Sequence, residues 1–455
     1  MTSQIVVVAN RLPVRQVGGV WEPSPGGLVR ALVPILQDRS GSWVGWAGSE
    51  AGDLEPFEAG GIGQVPVHLT PEEIDRFYFG FCNGTLWPLY HDAVSAPDFH
   101  RRWWAAYETV NQRYADAVLD VLEPDGIAWV QDYQLQLVPQ MIRESRPDST
   151  IGFYLHIPFP PIELFARMPW REEIVAGLLG ADVVSFQTRR SAENFVRSAR
   201  RYGGAESLGK GRLSIDGRTV RTQRAPIGID VEEFRELAGS EEIQQRAKAL
   251  REEMGNPDKV ILGVDRLDYT KGIDIRLRAV DTLLHRSKDS DFRYEFVQVA
   301  VPSRQGVPAY QSLRESIEGA VGRINGDYAR PGWSPVHYLY RSLPLEELVT
   351  YYVAADVMLV TPLRDGMNLV AKEYVACRIH NDGVLILSEF AGAAEQLGSA
   401  LLVNPHDVNQ VATTLEEAVQ MDPDDIRRRM VALNRTVKRG DVYTWAAACL
   451  EALGA

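Results

Sequence analysis

Short apolar runs rich in β-branched residues recur along the chain, and each is followed by a turn signal and a longer segment with helical periodicity. Continuous apolar runs are typical of strands buried on both faces, as in a parallel sheet covered by helices. Their alternation with helical segments predicts βαβ units and the α/β fold class. The runs are IVVVAN (5–10), IAWVQDY (127–133), IGFYLHIPFP (151–160), ADVVSFQT (181–188), KVILGVDR (259–266), YEFVQVAVP (294–302), ADVMLVTP (355–362) and GVLILSE (383–389).

The runs fall into two sets on either side of APIGIDVEEF (225–234), which combines a strand end, a linker and the start of a polar helix. We therefore predict two doubly wound domains, residues 1–232 and residues 233–440. Two such domains are expected to place a cleft between the carboxyl ends of their sheets, where doubly wound sheets bind ligands. Residues 441–455 are predicted to form an amphipathic helix, and the pattern leaves its packing partner open.

Composition narrows the range of functions. The chain has 455 residues, which suggests two or three domains. Its 45% apolar and 24% charged residues are typical of a soluble globular protein and exclude extensive disorder. The net charge of −13 disfavours nucleic acids and anionic membranes as main partners. A few local arginines can still bind a small anion, because salt screens distant charge.

The cysteines and the N-terminal segment bear on the cellular compartment in which the protein is found. Cys82, Cys377 and Cys449 are far apart and form no Cys-x-x-Cys pair, which excludes a disulfide framework and a cysteine-ligated zinc site. The segment MTSQIVVVANRLPV lacks the basic and long apolar regions of a signal peptide. No segment approaches the ~20 apolar residues of a membrane helix. We expect a cytoplasmic protein.

The segment TPLRDGMNLVAKEYVA (361–376) is the most informative about ligands. A predicted strand ends in a charged loop and passes directly into a helix, so the backbone amides of residues 367–369 would form a phosphate-binding helix N-terminus. Asp365 could accept hydrogen bonds from sugar hydroxyls, and Glu373, about two turns further on, could bind a ribose diol. Alternatively, Asp365 is an N-cap and Glu373 a solvated helix residue.

The segment VDRLDYTKG (264–272) also ends a predicted strand in polar residues. Arg266 and Lys271 lie in a loop closed by Gly272. Two cations at the carboxyl end of a strand can neutralise a diphosphate or stabilise it as a leaving group. Taken singly, they could equally be surface cations. Because residues 361–376 follow a strand of the same predicted domain, both loops should share one sheet edge.

The first half of the chain offers a weaker phosphate signal. Arg11 follows the first predicted strand, and Gly26 and Gly27 precede a helical pattern. Such glycines permit close approach of backbone amides to a phosphate, although a glycine pair is more often an ordinary turn. The chain contains neither G-x-G-x-x-G nor G-x-x-x-x-G-K-[ST], so no fingerprint for a dinucleotide or a P-loop nucleotide is present.

Other polar groups end strands in the same half. Asp132 follows IAWVQ, His156 follows IGFYL, and Trp87 lies in the apolar segment LWPLYH. A single histidine or tryptophan is more often a core residue than a catalytic one. The sequence has no H-x-x-x-H or H-E-x-x-H spacing, so we expect no metal site.

Nine motifs occur in a familiar order: NRLPV, GGL, LWPLYH, DYQL, LHIPFP, RLDYTKG, RINGDY, TPLRDGMNLVAKEY and SEFAGAA. Together they resemble the trehalose-6-phosphate synthases of glycosyltransferase family 20, from Ile5 to about residue 450. The resemblance implies a GT-B fold, with two Rossmann-like domains facing across a cleft and residues 441–455 crossing back to the first domain. It also implies glucosyl transfer from a nucleoside diphosphate glucose to glucose 6-phosphate, with retention at the donor carbon.

The resemblance further implies roles for individual residues. The implied ligands of glucose 6-phosphate are Arg11, Tyr78, Asp132 and Arg304. The implied catalytic residues are Asp132, His156, Trp87, Arg266, Lys271 and Asp365. The implied donor ligands are Gly26, Gly27, Arg266, Lys271, Leu343, Asp365, Gly366, Met367, Asn368, Leu369, Val370 and Glu373.

The family's mechanism implies that no cofactor or metal is needed. The acceptor attacks the same face of the sugar from which the leaving group departs. The departing diphosphate takes the acceptor's proton. No enzyme carboxylate acts as a nucleophile, in contrast to the paired carboxylates of glycoside hydrolases. Catalysis then depends on positioning and on stabilising the leaving charge.

The chain departs from the family pattern at two places. Gln131-Asp132-Tyr133-Gln134 stands where many relatives have His-Asp-Tyr-His. By the resemblance, the strand VHYLYRSLPLEE (336–347) brings Leu343 near the nucleobase, where some relatives have an aromatic residue. Both UDP-glucose and GDP-glucose therefore remain open as donors.

The expected partners are the two small-molecule substrates and further copies of the chain in a dimer or tetramer. No D-x-D-x-[TV] signature is present, so a separate phosphatase is expected to dephosphorylate the product. One alternative is a related enzyme that uses glycerol 3-phosphate or a cyclitol phosphate as acceptor. Another is a non-catalytic regulator that binds a sugar phosphate.

Overall fold

The structure, a computed structural model, describes residues 2–17, 20–24, 27–48, 54–304 and 307–454. It divides into two units, Met1–Ile227 with Val442–Ala455, and Gly228–Asp441. The sequence placed the boundary at residue 232, whereas the structural division falls before Gly228. A Cβ atom on Gly228 would lie 2.2 Å from the Gly440 carbonyl oxygen, so the chain enters and leaves the second unit side by side.

The first unit contains a mixed β-sheet and a separate two-stranded hairpin. Its strands are β1 (Ser3–Arg11), β2 (Val14–Val17), β3 (Val20–Pro23), β4 (Ser42–Trp46), β5 (Phe57–Ala59), β6 (Ile62–Pro66), β7 (Leu122–Gln131), β8 (Thr150–Leu155), β9 (Val183–Phe186), β10 (Glu206–Gly209), β11 (Arg212–Ile215) and β12 (Arg218–Arg224). Within the described residues, ten of them form one sheet in the order β10-β11-β12-β9-β8-β7-β1-β4-β6-β5. From β12 to β6 the neighbours are parallel, and β2 pairs with β3 as a separate hairpin.

The direction of winding reverses beside β1. The chain first adds β4 and β6 on one side of β1, and then adds β7, β8 and β9 on the other. At such a reversal the connections after two adjacent strands leave in opposite directions and open a crevice at the carboxyl edge. Arg11 ends β1, and Asp132 follows β7, so both lie at this point.

Helices cover this sheet. They are α1 (Gly27–Asp38), α2 (Pro71–Glu73), α3 (Trp87–Tyr90), α4 (Arg101–Val121), α5 (Val138–Ser145), α6 (Ile162–Phe165), α7 (Arg171–Leu179) and α8 (Arg189–Tyr202). A π-helical segment, Ile74–Leu86, joins α2 to α3, and a short 3₁₀ turn, Tyr133–Leu135, follows β7.

The second unit has the strand order of a Rossmann fold. Its strands are β13 (Lys259–Arg266), β14 (Tyr294–Val301), β15 (Val336–Leu339), β16 (Val357–Val360), β17 (Val384–Ser388) and β18 (Leu401–Val403). Over the part of this unit that the structure describes, they form one parallel sheet in the order β15-β14-β13-β16-β17-β18. This is the 3-2-1-4-5-6 order, and it reverses between β13 and β16.

Helices and short 3₁₀ turns connect these strands. The helices are α9 (Val231–Gly239), α10 (Glu241–Glu253), α11 (Ile273–Arg286), α12 (Pro308–Tyr328), α13 (Leu345–Ala354), α14 (Leu369–Cys377), α15 (Val408–Val419) and α16 (Pro423–Arg439). The 3₁₀ turns are Tyr269–Lys271 and Gly392–Glu395. No helix in the described ranges combines the length and the apolar character needed to cross a bilayer.

The predicted α/β class is confirmed, and each of the eight apolar runs overlaps one strand: β1, β7, β8, β9, β13, β14, β16 and β17. Apart from the first half of β7, these strands are buried along nearly their whole length, because helices cover both faces of a parallel sheet. The family resemblance placed β15 within the strand VHYLYRSLPLEE (336–347), whereas the sequence pattern missed the parallel strands β4, β6, β12 and β18. Those strands are short or rich in Gly, Trp and charged residues, so they lack a continuous apolar run.

The C-terminal helix α17 (Val442–Leu453) belongs to the first unit. The Trp445 ring lies 5.6 Å from the Trp129 ring and 5.1 Å from the Tyr154 ring, between centroids. The Trp445 indole N–H donates a 3.1 Å hydrogen bond to the Ala225 carbonyl oxygen. A tryptophan that is 4% exposed therefore attaches α17 to the sheet of the first unit.

Replacing Trp445 with alanine should lower the free energy of unfolding by about 3–5 kcal/mol, the usual cost of deleting a buried tryptophan. Urea unfolding followed by circular dichroism measures this change. Tyr443→Ala on the same helix is the control, because Tyr443 is 46% exposed and should cost about 0.5 kcal/mol or less. Equal losses for the two variants would contradict this packing.

Candidate active site

The first unit presents an exposed cation at the end of β1. The Arg11 guanidinium lies 4.3 Å from the centroid of the Trp46 ring and 5.7 Å from that of the Tyr78 ring. Stacking on aromatic faces holds the guanidinium in place while its N–H groups stay available to an anion. The structure thus brings Arg11 and Tyr78 together, two of the residues predicted to bind a phosphate.

Asp132 follows β7 in an unusual backbone conformation. Its φ is +73°, a left-handed value that costs energy for a residue other than glycine. The Asp132 N–H donates to the Tyr154 carbonyl oxygen at 2.7 Å, and the carboxylate Oδ1 accepts from the His156 backbone N–H at 3.1 Å. These bonds hold Asp132 and His156 together at one edge of the sheet.

The imidazole of His156 is partly buried. It lies against the Tyr154 ring at 4.4 Å between centroids. Loss of hydration disfavours the charged form, and burial lowers the pKa of His156 to about 3. His156 is therefore neutral near pH 7, and it offers one donor and one acceptor rather than a charge.

Trp87 is a buried residue in the structure. Its side chain is 3% exposed, and its ring lies 4.1 Å from the His91 ring and 5.7 Å from the Tyr133 ring, between centroids. Trp87 therefore belongs to an aromatic cluster next to the turn that follows Asp132.

The second unit carries a cation–carboxylate pair at its own reversal point. The Lys271 Nζ lies 2.6 Å from the Asp365 Oδ2, although the loops that hold them follow β13 and β16. The Asn368 side-chain amide donates to the same Asp365 oxygen at 3.1 Å. Both side chains of the ion pair are largely buried, which strengthens their attraction relative to a surface pair.

The backbone brings these two loops together. The Leu363 N–H donates to the Thr270 carbonyl oxygen at 2.7 Å. Gly272 has a φ of +63°, and a Cβ atom there would lie 2.3 Å from the Thr361 carbonyl oxygen. Only glycine fits this position without displacing the backbone that follows β16.

The start of α14 excludes the alternative in which Asp365 is an N-cap. The N-cap is Asn368, whose side chain accepts from the Ala371 N–H at 3.2 Å, so Asp365 does not cap the helix. Glu373 accepts a 2.7 Å hydrogen bond from the Tyr352 hydroxyl. Gly366 and Met367 are buried in the preceding loop, whereas Leu369 and Val370, the first residues of α14, are partly exposed.

Arg304 is paired within the second unit. Its Nη1 lies 2.8 Å from the Oδ2 of Asp268, and the Tyr310 hydroxyl donates to the same oxygen at 2.9 Å. Burial by itself raises the pKa of Asp268, but neighbouring cations, Arg304 foremost, hold it at about 2. Asp268 therefore stays charged at neutral pH and fixes the Arg304 guanidinium.

A second buried ion pair joins α11 to β13, and the sequence did not predict it. The Arg276 Nη1 lies 2.7 Å from the Asp265 Oδ2 and 2.8 Å from the Gln298 Oε1. A Cβ atom on Gly263 would lie 2.4 Å from that Nη1, so the glycine makes room for the guanidinium. Burial raises the pKa of Asp265, while Arg276 opposes this rise. Nothing in the sequence distinguishes Arg276 from the other arginines.

The remaining predicted residues lie as follows. Arg266 is the exposed last residue of β13, and Leu343 is partly exposed just before α13. Gly27 begins α1, while Gly26 lies outside the described residues. Among the residues that the structure describes, no three His, Cys, Asp or Glu side chains are grouped so that they could hold a metal ion.

The comparisons with known proteins agree with this geometry. The chain matches the model of glycosyltransferase family 20 over residues 3–455. It is also 52% identical to a trehalose-6-phosphate synthase of Mycolicibacterium smegmatis, over 100% of this chain and 93% of that protein. The chain belongs to glycosyltransferase family 20. It is therefore a glycosyltransferase, and the enzyme class expected from the motifs is confirmed.

Solved structures extend the likeness to the whole fold of this family member. An α,α-trehalose-phosphate synthase (UDP-forming) from Burkholderia xenovorans, in complex with glucose 6-phosphate, is 34% identical with a TM-score of 0.92 over 99% of this chain and 100% of that chain. The protein from E. coli bound with UDP-2-fluoro glucose is 35% identical with a TM-score of 0.92 over 99% of each chain. The predicted GT-B class is confirmed.

Arg276→Met should lower the free energy of unfolding by about 3–5 kcal/mol, because it leaves the buried Asp265 carboxylate without its cation. Denaturant unfolding at pH 7 measures this loss. Arg278→Met is the control on the same helix, since its pair with Asp274 is exposed and should cost about 0.5 kcal/mol or less. A cost for Arg276→Met as small as that of the control would argue against the buried pair.

Proposed function

We propose that this glycosyltransferase makes α,α-trehalose 6-phosphate from a nucleoside diphosphate glucose and glucose 6-phosphate. The bond between the anomeric carbon and the β-phosphate oxygen breaks, and a bond from that carbon to O1 of glucose 6-phosphate forms. The acceptor's proton leaves with the departing diphosphate. An α-configured donor that yields an α,α-linked product defines the reaction as retaining.

The observation that carries this proposal is the buried pair of Lys271 and Asp365 beside the start of α14. A diphosphate leaving group gains negative charge as the sugar departs, and fixed cations and backbone amides stabilise that charge most in a partly desolvated site. In the proposal, Lys271, Arg266 and the α14 amides hold the diphosphate. Asp365 holds glucose hydroxyls, and Glu373 holds the ribose. The assignment needs no metal ion.

The acceptor is proposed to bind to the first unit through Arg11, Tyr78 and Asp132. The exposed Arg11 guanidinium, stacked on two aromatic rings, is suited to a phosphate dianion. Asp132 can accept hydrogen bonds from sugar hydroxyls, and Arg304 is the further phosphate ligand that the family pattern implies. The similarity to a structure in complex with glucose 6-phosphate supports this choice of acceptor.

Proton transfer in the proposal does not need an enzyme base. The pKa of His156, lowered to about 3, makes the imidazole a poor proton acceptor for a sugar hydroxyl at neutral pH. A departing diphosphate oxygen carries the charge and lies next to the attacking hydroxyl in a front-face reaction. The protein then contributes positioning and charge stabilisation.

The donor base is proposed to be uracil, with guanine as the alternative. The two solved structures described above concern a UDP-forming enzyme and a UDP-2-fluoro glucose complex, which supports UDP-glucose. Leu343 is smaller than the aromatic residue of some relatives, which keeps guanine as the alternative. The product retains its phosphate, so a separate phosphatase would be required to release trehalose.

The test is an NMR time course with glucose 6-phosphate and equal concentrations of UDP-glucose and GDP-glucose, in the presence of a chelator. We expect an α,α-1,1-linked disaccharide phosphate and faster consumption of UDP-glucose. Parallel incubations contain glycerol 3-phosphate or a cyclitol phosphate instead. Consumption of donor only in those incubations would overturn the acceptor assignment, and binding of glucose 6-phosphate without turnover of either donor would indicate a regulator.

Lys271→Met should lower kcat by about 100-fold or more, the usual effect of removing one stabilising group from a developing anion. Steady-state kinetics with the preferred donor measures this loss. Lys248→Met is the matched control, because Lys248 is an exposed lysine on α10 of the same unit. Activity of Lys271→Met within a few-fold of the control would show that Lys271 does not stabilise the diphosphate.

A further inference from the structure

Three neighbouring strands of the first unit end in side chains that contact one another. Gln131 is the last residue of β7, His156 follows β8, and Gln187 follows β9. Because β8 lies between β7 and β9, His156 has a glutamine on each side. Gln131 and Gln187 are 0% and 2% exposed, so each buried amide must find its hydrogen-bond partners within the protein.

The hydrogen bonds of Gln131 fix the direction of its amide. Its Nε2 donates to the Trp129 carbonyl oxygen at 3.4 Å, and its Oε1 lies 3.0 Å from the His156 Nε2. Reversing the amide would place two oxygens against each other at Trp129. The Gln131 oxygen therefore accepts from His156, which requires a proton on the His156 Nε2.

The hydrogen bonds of Gln187, on the other side of the ring, indicate the same position for the His156 proton. The Ile227 backbone N–H, which can only donate, points at the Gln187 Oε1 at 2.9 Å. The Gln187 Nε2 then faces the His156 Nδ1 at 3.5 Å, at the long limit of a hydrogen bond. An NH₂ group facing Nδ1 favours an unprotonated Nδ1.

We propose that Gln131 and Gln187 are positioning residues that hold His156 as the neutral imidazole with its proton on Nε2. The proposal deepens the proposed function, on which it rests for the location of His156 beside the reacting sugar. A second proton on Nδ1 would face the Gln187 NH₂ group. The two glutamines thus keep the imidazole uncharged and fix which nitrogen donates.

The surroundings of His156 agree with a neutral ring. The pKa of His156 is lowered to about 3 by burial. Asp132, at the end of β7, is the carboxylate next to the ring, but its Oδ1 accepts from the His156 backbone N–H rather than from the imidazole. Tyr154 lies on β8, and burial raises its pKa well above the ordinary value, so it stays neutral. Trp445 of α17, at 6.4 Å between centroids, carries no charge.

The first test reads the protonation of the ring directly. Protein labelled with ¹⁵N at histidine is studied without substrates by long-range ¹H–¹⁵N correlation, and His156→Asn identifies the signals. We expect a protonated Nε2 and an unprotonated Nδ1 for His156, unchanged between about pH 5 and pH 8, where an ordinary histidine titrates. A protonated Nδ1, or a doubly protonated ring at pH 7, would overturn the proposal.

The second test replaces one amide with a carboxylate of the same shape. In Gln131→Glu a negative charge faces the His156 Nε2, so the imidazolium form is stabilised and the pKa of His156 should rise. The His156 signals should then titrate between about pH 5 and pH 8, and kcat/KM for the donor should gain an ionisation in that range. An unchanged titration in a folded variant would contradict the role of Gln131.

Gln37→Glu is the matched control. Gln37 is an exposed residue near the end of α1, before β4, and hence at the opposite edge of the same sheet. The Gln37→Glu variant adds the same charge far from His156, so the His156 signals and the pH profile should stay those of the unmodified protein. Because the NMR arm uses no substrate, a correct tautomer with no trehalose phosphate formed would refute the proposed function and leave this inference standing.

Discussion

Each sheet reverses its winding direction beside its first strand. The reversal lies between β1 and β7 in the first unit and between β13 and β16 in the second. There the connections diverge, so the polar residues that end adjacent strands are not covered by a crossover helix. The location of the candidate site residues in both units follows from this reversal. Arg11 and Asp132 lie at one reversal, and Lys271 and Asp365 lie at the other.

The two reversal points differ in how they handle charge. Around the end of β13, buried cations and carboxylates are paired, which limits the cost of removing them from water. The pairs are Lys271 with Asp365, Arg304 with Asp268, and Arg276 with Asp265. Such fixed charges suit the proposed stabilisation of a departing diphosphate, because they need little reorganisation when charge develops.

The reversal point of the first unit depends more on aromatic rings and neutral hydrogen bonds. Arg11 is held by the faces of Trp46 and Tyr78, and His156 is neutral between two glutamine amides. Around His156, neutral hydrogen-bonding groups can orient sugar hydroxyls without adding charge to the site. Asp132, whose backbone φ is positive, is a locally strained residue at this reversal point.

The sequence by itself determined the fold class, the family and most of the strand ends that carry candidate residues. It could do so because continuous apolar runs report burial on both faces, and because Arg11, Asp132, Arg266 and Asp365 lie at or within a few residues of the ends of such runs. The short strands β4, β6 and β18 were missed, since their stability comes from neighbouring strands rather than from local pattern.

Only the tertiary structure decided which side chains meet. The partners of Lys271, Arg276 and His156 come from other strands or helices, at separations that no spacing rule predicts. The sequence also left open whether Asp365 caps α14; in the structure the helix begins at Leu369, so Asn368 is the cap, and Asp365 pairs with Lys271 of the neighbouring loop. Pairing across a sheet edge depends on strand order, and strand order is a property of the folded chain.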